Sequence, residues 1–303
     1  MNKEKSLKGW ATSDGDIYSP QDQRETKYMS NLPAGYYSVG YSPLIGTYFE
    51  KILLKDQDLI RVSGSETDKV INDIKKFWSR RDLFKKYKFP FKRGILMHGP
   101  PGCGKSCTIS MICEEIVKLD GICIQFNRTA LVQEGLKLLR TYQKDVPILV
   151  VMEDLDQLLQ YNNISEILNM LDGIEGGSDN VIYLATTNNP EQLHENIRNR
   201  PSRFDRSILF GPPEERLRLA YLESLFMKEE KQQHDLNLWV KDTDGMSFAH
   251  LKELFISVVL FGNDYQESVD VLSSMQVPEP DDVDEDMMYD LEDQEEEMKA
   301  ASK

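Results

Sequence analysis

From residue 94 to residue 210 short apolar runs alternate with helical periods, and few architectures satisfy such a pattern. The runs fall at 94–98, 122–126, 148–152, 181–186 and 207–210, and the segments between them space apolar residues three and four apart. Parallel strands must be joined by crossovers, and a helical crossover lies on a face of the sheet. The alternation therefore predicts an α/β fold, a parallel sheet with helices on both faces. Ile148-Leu149-Val150-Val151-Met152 is apolar throughout, as a strand buried on both sides requires. Pro212 and Pro213 end this unit. Beyond them Leu217, Tyr221 and Leu225 mark one helix, and Phe248, Leu251, Leu254, Phe255 and Val258 another, which predicts a small all-helical lid domain.

The 303 residues, 40% of them apolar, suffice for two compact units with tails at about 100 to 200 residues per domain. Residues 1–46 are polar and carry Gly and Pro breakers, predicting a flexible N-terminal arm, with the tyrosine-rich stretch at its end a loop packed on its own domain. Residues 47–88 read as a hairpin and linker helix: strands at 47–54 and 59–62 about a turn at 55–58, then a helix opening at Asp68. The core occupies 89–211, the lid 212–276, and 277–303 a disordered acidic tail.

Net charge is −15, but residues 277–303 hold twelve Asp/Glu against two Lys, leaving −5 for residues 1–276. No basic field for nucleic acid spans the chain. Nine Lys/Arg do fall between Lys75 and Arg93, yet their helical angles scatter over a polar face, as a solvated surface does. No apolar run reaches the ~18 residues of a spanning helix, and the first residues lack a signal-like apolar stretch. Cys103, Cys107, Cys113 and Cys123 contain no CxxC pair, so they read as small hydrophobes rather than zinc ligands. The expectation is a cytoplasmic protein with reduced thiols and no membrane attachment.

Gly99-Pro100-Pro101-Gly102-Cys103-Gly104-Lys105-Ser106 fits GxxxxGK[ST] between a strand and a helix whose apolar positions are Ile109, Ile112, Ile116 and Leu119. In that setting backbone N–H groups can converge on a phosphate only if Gly99 and Gly104 let the loop turn. Lys105 then supplies charge to the β- and γ-phosphates, and Ser106 a hydroxyl for Mg²⁺. The fold class is thereby a P-loop α/β fold, and ATP with Mg²⁺ the expected ligand pair.

A phosphate cradle needs carboxylates on an adjacent strand, and 148–152 ends in Glu153-Asp154. Glu153 is the expected metal carboxylate, acting through water, and Asp154 the group that polarises the attacking water. Asn188, at the end of the next strand, is placed near the γ-phosphate in preference to Asn189. Arg203 and Arg206 sit before the fifth strand, too far from their own nucleotide and suited to a neighbour's.

Together these motifs, in order over residues 60–276, resemble the classic clade of AAA ATPases. The resemblance implies that 99–106 is Walker A, Glu153 and Asp154 Walker B, Asn188 sensor 1, and Arg203 and Arg206 arginine fingers. The implied nucleotide contacts are Gly99, Pro100, Pro101, Gly102, Cys103, Gly104, Lys105, Ser106 and Cys107, with Ala249 from the Gly245-Met246-Ser247-Phe248-Ala249-His250 segment that replaces a Gly-Ala sensor 2. Asn169-Met170-Leu171-Asp172-Gly173-Ile174 is similar to the inter-subunit signalling segment.

Three features depart from the commonest pattern. Walker B reads Glu-Asp, as in the branch of the mitochondrial complex III assembly chaperone. No membrane helix stands in residues 1–60. The first pore-loop stretch, Arg128-Thr129-Ala130-Leu131-Val132, offers aliphatics where threading motors have an aromatic, leaving Tyr161 of the second loop. The implied function is an ATP-hydrolysing ring, a hexameric homo-oligomer, that remodels, unfolds or disassembles a protein substrate. The alternative is a nucleotide-dependent scaffold or switch in a DNA transaction, using residues 75–93.

Overall fold

The protein was analysed as a computed structural model, which describes residues 8–12, 17–22, 28–53, 60–173, 179–198, 202–227 and 233–275. Its centre is a ten-stranded sheet in the order β10-β6-β9-β8-β7-β4-β5-β2-β1-β3. The strands β6 (Lys92–His98), β7 (Ile122–Gln125), β8 (Ile148–Met152), β9 (Val181–Thr187) and β10 (Arg206–Leu209) are those the apolar runs predict, and they pair in parallel. Every residue of β8 and β9 is buried. At about 1.5–3 kcal/mol for each fully buried large aliphatic side chain, these two central strands anchor the fold.

The crossovers α3 (Lys105–Lys118), α4 (Thr129–Tyr142), α5 (Leu155–Tyr161) and α6 (Ile164–Asp172) cover the sheet from two sides. One core packs Ile112, Cys113 and Ile116 of α3, with Ile71 and Ile74 of α1 (Glu66–Trp78), against Ile95, Met97, Leu149 and Val151. The other packs Leu136 and Leu139 of α4 and Ile167 and Leu171 of α6 against Ile124, Val150 and Tyr183. Alternate residues of one strand thus serve opposite cores. α1 starts at Glu66, two residues ahead of the predicted Asp68, with Ser65 in extended backbone before it.

After the short α7 (Glu195–Arg198), the lid follows as predicted: α8 (Glu215–Leu225), α9 (Leu236–Asp242), α10 (Phe248–Phe255), a π-helical turn (Ile256–Leu260) and α11 (Tyr265–Ser273). It has its own core of Leu222, Phe226, Trp239, Met246, Leu251 and Leu254. Arg218, buried here, donates to the carbonyls of Pro213 and Val240 and pairs with Asp244.

The amino-terminal segment departs from expectation. Residues 35–46 are no flexible arm: β4 (Gly35–Ser42) pairs in parallel with β7, Tyr36 opposite Cys123, and extends the core sheet. Tyr36 joins one core and Tyr37, Val39 and Phe49 the other, so the strand is held from both sides. The hairpin is also displaced. β4 pairs with β5 (Gly46–Ile52) across a tight turn, in place of a hairpin about 55–58; residues 54–59 lie outside the described ones. Gly40 admits the facing strand, because a Cβ there would lie 2.4 Å from the Tyr48 ring. β2 (Ile17–Asp22) adds to β5, and β1 (Lys8–Thr12) and β3 (Tyr28–Met29) follow, all antiparallel. The acidic tail lies outside the described residues.

Tyr37 tests whether this segment belongs to the core: it is fully buried, donates its hydroxyl to the Pro33 carbonyl at 2.8 Å and meets Phe49 edge to face. Tyr37→Ala is expected to lower unfolding free energy by about 3 kcal/mol or more, as for other buried aromatics, measured by urea denaturation. A change below about 0.5 kcal/mol, the size of surface effects, would return residues 35–46 to the status of an arm.

Candidate functional site

β6 ends at His98, and the chain turns through Gly99 (φ 136°), Gly102 (φ 76°) and Gly104 (φ 95°) before α3 begins. All three φ values lie where a Cβ is strained, and two positions also lack room. A Cβ would come within 2.3 Å of the Phe210 carbonyl oxygen at Gly99, and within 2.7 Å of Ser247 Oγ at Gly102. The loop is pressed between the end of β10 and the lid. Lys105 curls back into it, its ammonium donating to the Gly99 and Pro100 carbonyls at 2.5 and 2.8 Å. Burial lowers the Lys105 pKa, opposed by the nearby Cys103 and Asp154. Burial, then the Lys105 charge, also lowers that of His98.

Glu153 and Asp154 follow β8 and part at once. Glu153 is raised above the ordinary carboxyl range by desolvation in the cleft, although its outer part meets solvent; a hydrogen bond from the Ser106 hydroxyl opposes the rise, and the Asp154 charge adds to it. A hydroxyl joined to a carboxylate is a pair of hard oxygen donors beside the phosphate loop, so these residues fit Mg²⁺. Asp154 adopts left-handed backbone (φ 48°), and its N–H donates to the Thr186 hydroxyl at 3.1 Å. That bond ties the turn to β9.

β9 then delivers two amides with different partners. Asn188 Nδ2 donates to Asp154 Oδ1 at 3.4 Å, whereas Asn189 Nδ2 reaches Asp156 Oδ2 at 3.5 Å. Thr187 also donates to Asp156, at 2.7 Å, and accepts from the Asn189 N–H. Asn188 is the amide beside Asp154, and Asn189 is held by a structural bracket with Asp156. Thr186 and Asp156 are the residues that sequence reasoning missed. The only signal was Thr186-Thr187 ahead of the asparagines.

The lid closes the third side. Ala249 donates its N–H to the Gly102 carbonyl at 3.2 Å, and its Cβ faces Gly102. Ser247 caps α10 in a reciprocal box with His250, which fixes this approach. Cys107, in the first turn of α3, is exposed with Lys252 and Tyr221 of the lid close enough to act on it electrostatically, while Cys103, Cys113 and Cys123 are buried.

The arginines require a correction. Arg203 is only 5% exposed and does not face outward as a finger for a neighbour. Its Nε and Nη2 donate to Asp172 at 3.2 and 3.0 Å, and Nη1 donates to the Asn196 carbonyl. Its own carbonyl fills the space beside Gly94, where a Cβ would fall 1.7 Å away. Asp172 stands 31 residues back in sequence, so charge pattern alone gave no reason to pair the two. Arg206 remains accessible, with its side chain half exposed and paired to Asp73 of α1 at 2.9 Å. Arg200 lies outside the described residues.

Residues 95–212 match the family described as ATPase family associated with various cellular activities (AAA). Among curated proteins the chain is 29% identical to the ATPase family gene 2 protein homolog B of Bos taurus over 181 residues, 54% of this chain and 23% of that one. It is 27% identical to the ATPase family protein 2 homolog of Caenorhabditis elegans over 235 residues, 69% of this chain and 31% of that one. It is 26% identical to the Cell division cycle protein 48 homolog of Archaeoglobus fulgidus over 189 residues, 57% of this chain and 26% of that one. The chain spans less than a third of the length of each of these relatives. No helix among the described residues is long and apolar enough to cross a membrane.

The buried Arg203–Asp172 pair makes a stability prediction. Removing one partner of a buried pair typically costs about 3–5 kcal/mol. Arg203→Ala is therefore expected to lower the melting temperature of the chain even without nucleotide, and Asp172→Ala to do the same. Full thermal stability in both variants, by calorimetry, would show that the pair contributes nothing to the fold.

Proposed function

We propose that the chain, which carries an AAA ATPase domain, hydrolyses ATP to ADP and phosphate in a ring of identical subunits and uses the cycle to remodel a protein substrate. The observation that carries this reading is a convergence at the carboxyl ends of three parallel strands: Lys105 beyond β6, the Ser106–Glu153 pair beyond β8, and Asp154 with Asn188 beyond β8 and β9. Loop N–H groups of 99–105 and the Lys105 ammonium, released from its two carbonyls, bind the β- and γ-phosphates. Mg²⁺, when bound, would be held by Ser106 and Glu153 and would offset phosphate charge. Asp154 polarises the attacking water, and Asn188 holds that water or the γ-phosphate in line. Ala249 and Cys107 border the nucleotide on the lid side.

Phosphoryl transfer also needs positive charge at the far side of the γ-phosphate, and among the described residues Lys105 is the cation bonded to the loop. Arg206 of the partner subunit supplies it in this proposal, since Arg203 is committed within its own subunit. A hexamer is the expected closure. The Glu153-Asp154 order supports kinship with the branch of the mitochondrial complex III assembly chaperone. The stretch 128–132 supports a grip on substrate poorly: Thr129 and Val132 are buried in the first turn of α4, and Leu131 packs on the core. Tyr161, 86% exposed at the end of α5, is the aromatic available for it. A cytoplasmic location belongs to the same proposal.

Three measurements test this reading. Lys105→Ala removes two charge-assisted contacts to phosphate and is expected to weaken ATP binding roughly 100-fold or more by calorimetry; unchanged affinity would displace the site from 99–106. Because the folded pKa of Glu153 is raised, a larger fraction is protonated at any given pH. In the chain free of nucleotide and metal, Glu153 should therefore titrate above the ~4.3 of an ordinary glutamate, measured by NMR, and Glu153→Gln should remove most of the Mg²⁺ dependence of turnover. Arg206→Ala should leave ATP binding intact while turnover falls by about 10³. Mixing it with Lys105→Ala should recover part of the activity, since some interfaces then combine an intact cradle with an intact arginine. No recovery at any ratio would remove the shared site and favour a self-contained nucleotide switch.

A further inference from the structure

The face at the amino-terminal ends of the parallel strands carries a feature that the phosphate site does not use. Helix α2 (Arg81–Tyr87) and the residues after it lead into β6, and all of 85–90, Lys85-Lys86-Tyr87-Lys88-Phe89-Pro90, is exposed. Tyr87 is 64% and Phe89 68% exposed, and Leu83 is exposed beside them. The shelf is rigid. Beneath it Phe77 stacks on Phe91 at 4.2 Å, Phe84 packs edge-on to both, and Trp78 donates to Asn180 at 3.0 Å. These rings hold α2 in place while leaving two other aromatics in water.

The charges on the shelf are equally unspent. Arg81 is paired with Asp145 at 2.7 Å, but Lys85, Lys86 and Lys88 make no ion pair among the described residues. The acids on the same face are Asp82, Asp145 and Asp179. Lys86 lies 5.7 Å over the Tyr87 ring. Lys88 is the left-handed residue that ends α2 (φ 58°), its N–H bonded to the Lys85 carbonyl while Phe89 N–H bonds the Phe84 carbonyl. Glycine is the residue such a cap favours, so a lysine there places a cation where the backbone is strained. Three unpaired lysines interleaved with two exposed rings form a surface for a flexible polyanion that also carries apolar side chains.

We propose that this shelf binds the chain's own acidic carboxyl-terminal segment, residues 277–297. That segment holds all twelve acids of the tail, and Met287, Met288, Tyr289 and Leu291 interrupt them, so its chemistry mirrors the alternation of lysine and aromatic residues on the shelf. Reach is sufficient. The described chain ends at Met275 on the lid, and residues 277–297 extend up to roughly 70 Å, against a radius of gyration of about 19 Å for a compact chain of this length. Tethering raises the local concentration of the segment to the millimolar range, and an untethered polyanion such as nucleic acid would have to displace it. The contact can form within a subunit or between neighbours, joining lid to the opposite end of the core.

Zero-length carbodiimide cross-linking of the full chain tests this directly, because it joins a lysine to a carboxylate only where they touch. Peptide mapping at about 50 mM salt should find links from Lys85, Lys86 or Lys88 to acids within 279–297, and their yield should fall at least about tenfold at about 500 mM salt. Tail links spread evenly over lysines elsewhere, or none to these three, would overturn the proposal. A second measurement avoids any change to the shelf. The full chain with Asp281, Asp282, Asp284, Glu285, Asp286 and Asp290 changed to amides should exchange the backbone hydrogens of 81–89 several-fold faster than wild type, and equal rates would count against docking. Oligothymidylate bound by the wild-type full chain near physiological salt, and lost in Lys85→Glu/Lys86→Glu/Lys88→Glu, would assign the shelf to nucleic acid and overturn the proposal as well.

Discussion

The register of β6 against its two neighbours is the constraint on which the rest depends. His98 pairs with Thr187 of β9 on one side and Leu209 of β10 on the other. The residues that follow, Gly99, Asn188 and Phe210, must then emerge side by side at one edge of the sheet. The phosphate loop gains its wall from the Phe210 carbonyl, and Asn188 reaches the carboxylate that ends β8. A slip of one residue would send Ile95 and Met97 to the wrong core and carry the loop away from Asn188. Fold and site are therefore specified by the same ladder of hydrogen bonds.

Polar groups around the site are held by neighbours that do no chemistry themselves. Thr186 fixes the Asp154 backbone, Asp156 takes up Asn189 and Thr187, and Asp172 takes up Arg203. Asn188 meets Asp154 while Asn189 is taken up by Asp156, and Arg203 is buried on Asp172 while Arg206, though paired with Asp73, keeps its side chain half exposed. Adjacent candidates are thus separated by where their partners hold them, one in the interior and one at the surface.

Much of this was legible in the sequence. The five core strands and the glycine loop follow from patterns that are local, apolar run against helical period and glycine where φ must be positive. What escaped was non-local. β4 reads as a loop because its tyrosines stand among Gly, Ser and Pro, yet Gly35 and Gly40 each make room for a tyrosine ring, Tyr37 and Tyr48 respectively, and the strand owes its place to β7, more than eighty residues on. Arg203 looked available because its partner Asp172 lies on another element. Of the two asparagines, Asn188 is the one beside Asp154, and the sequence could not say that Asp156 occupies the other.

The contact between Ala249 and Gly102 has a mechanical consequence. The lid has its own core, and its Ala249 N–H and methyl group rest on Gly102, a point of the glycine loop with no room for a Cβ. Since Gly102 has no side chain to yield, any pivoting of the lid is passed to loop backbone without slack. Tightening or loosening around the terminal phosphate would swing the far tip of α11 as the long arm of a lever whose fulcrum lies at the bond between these two residues.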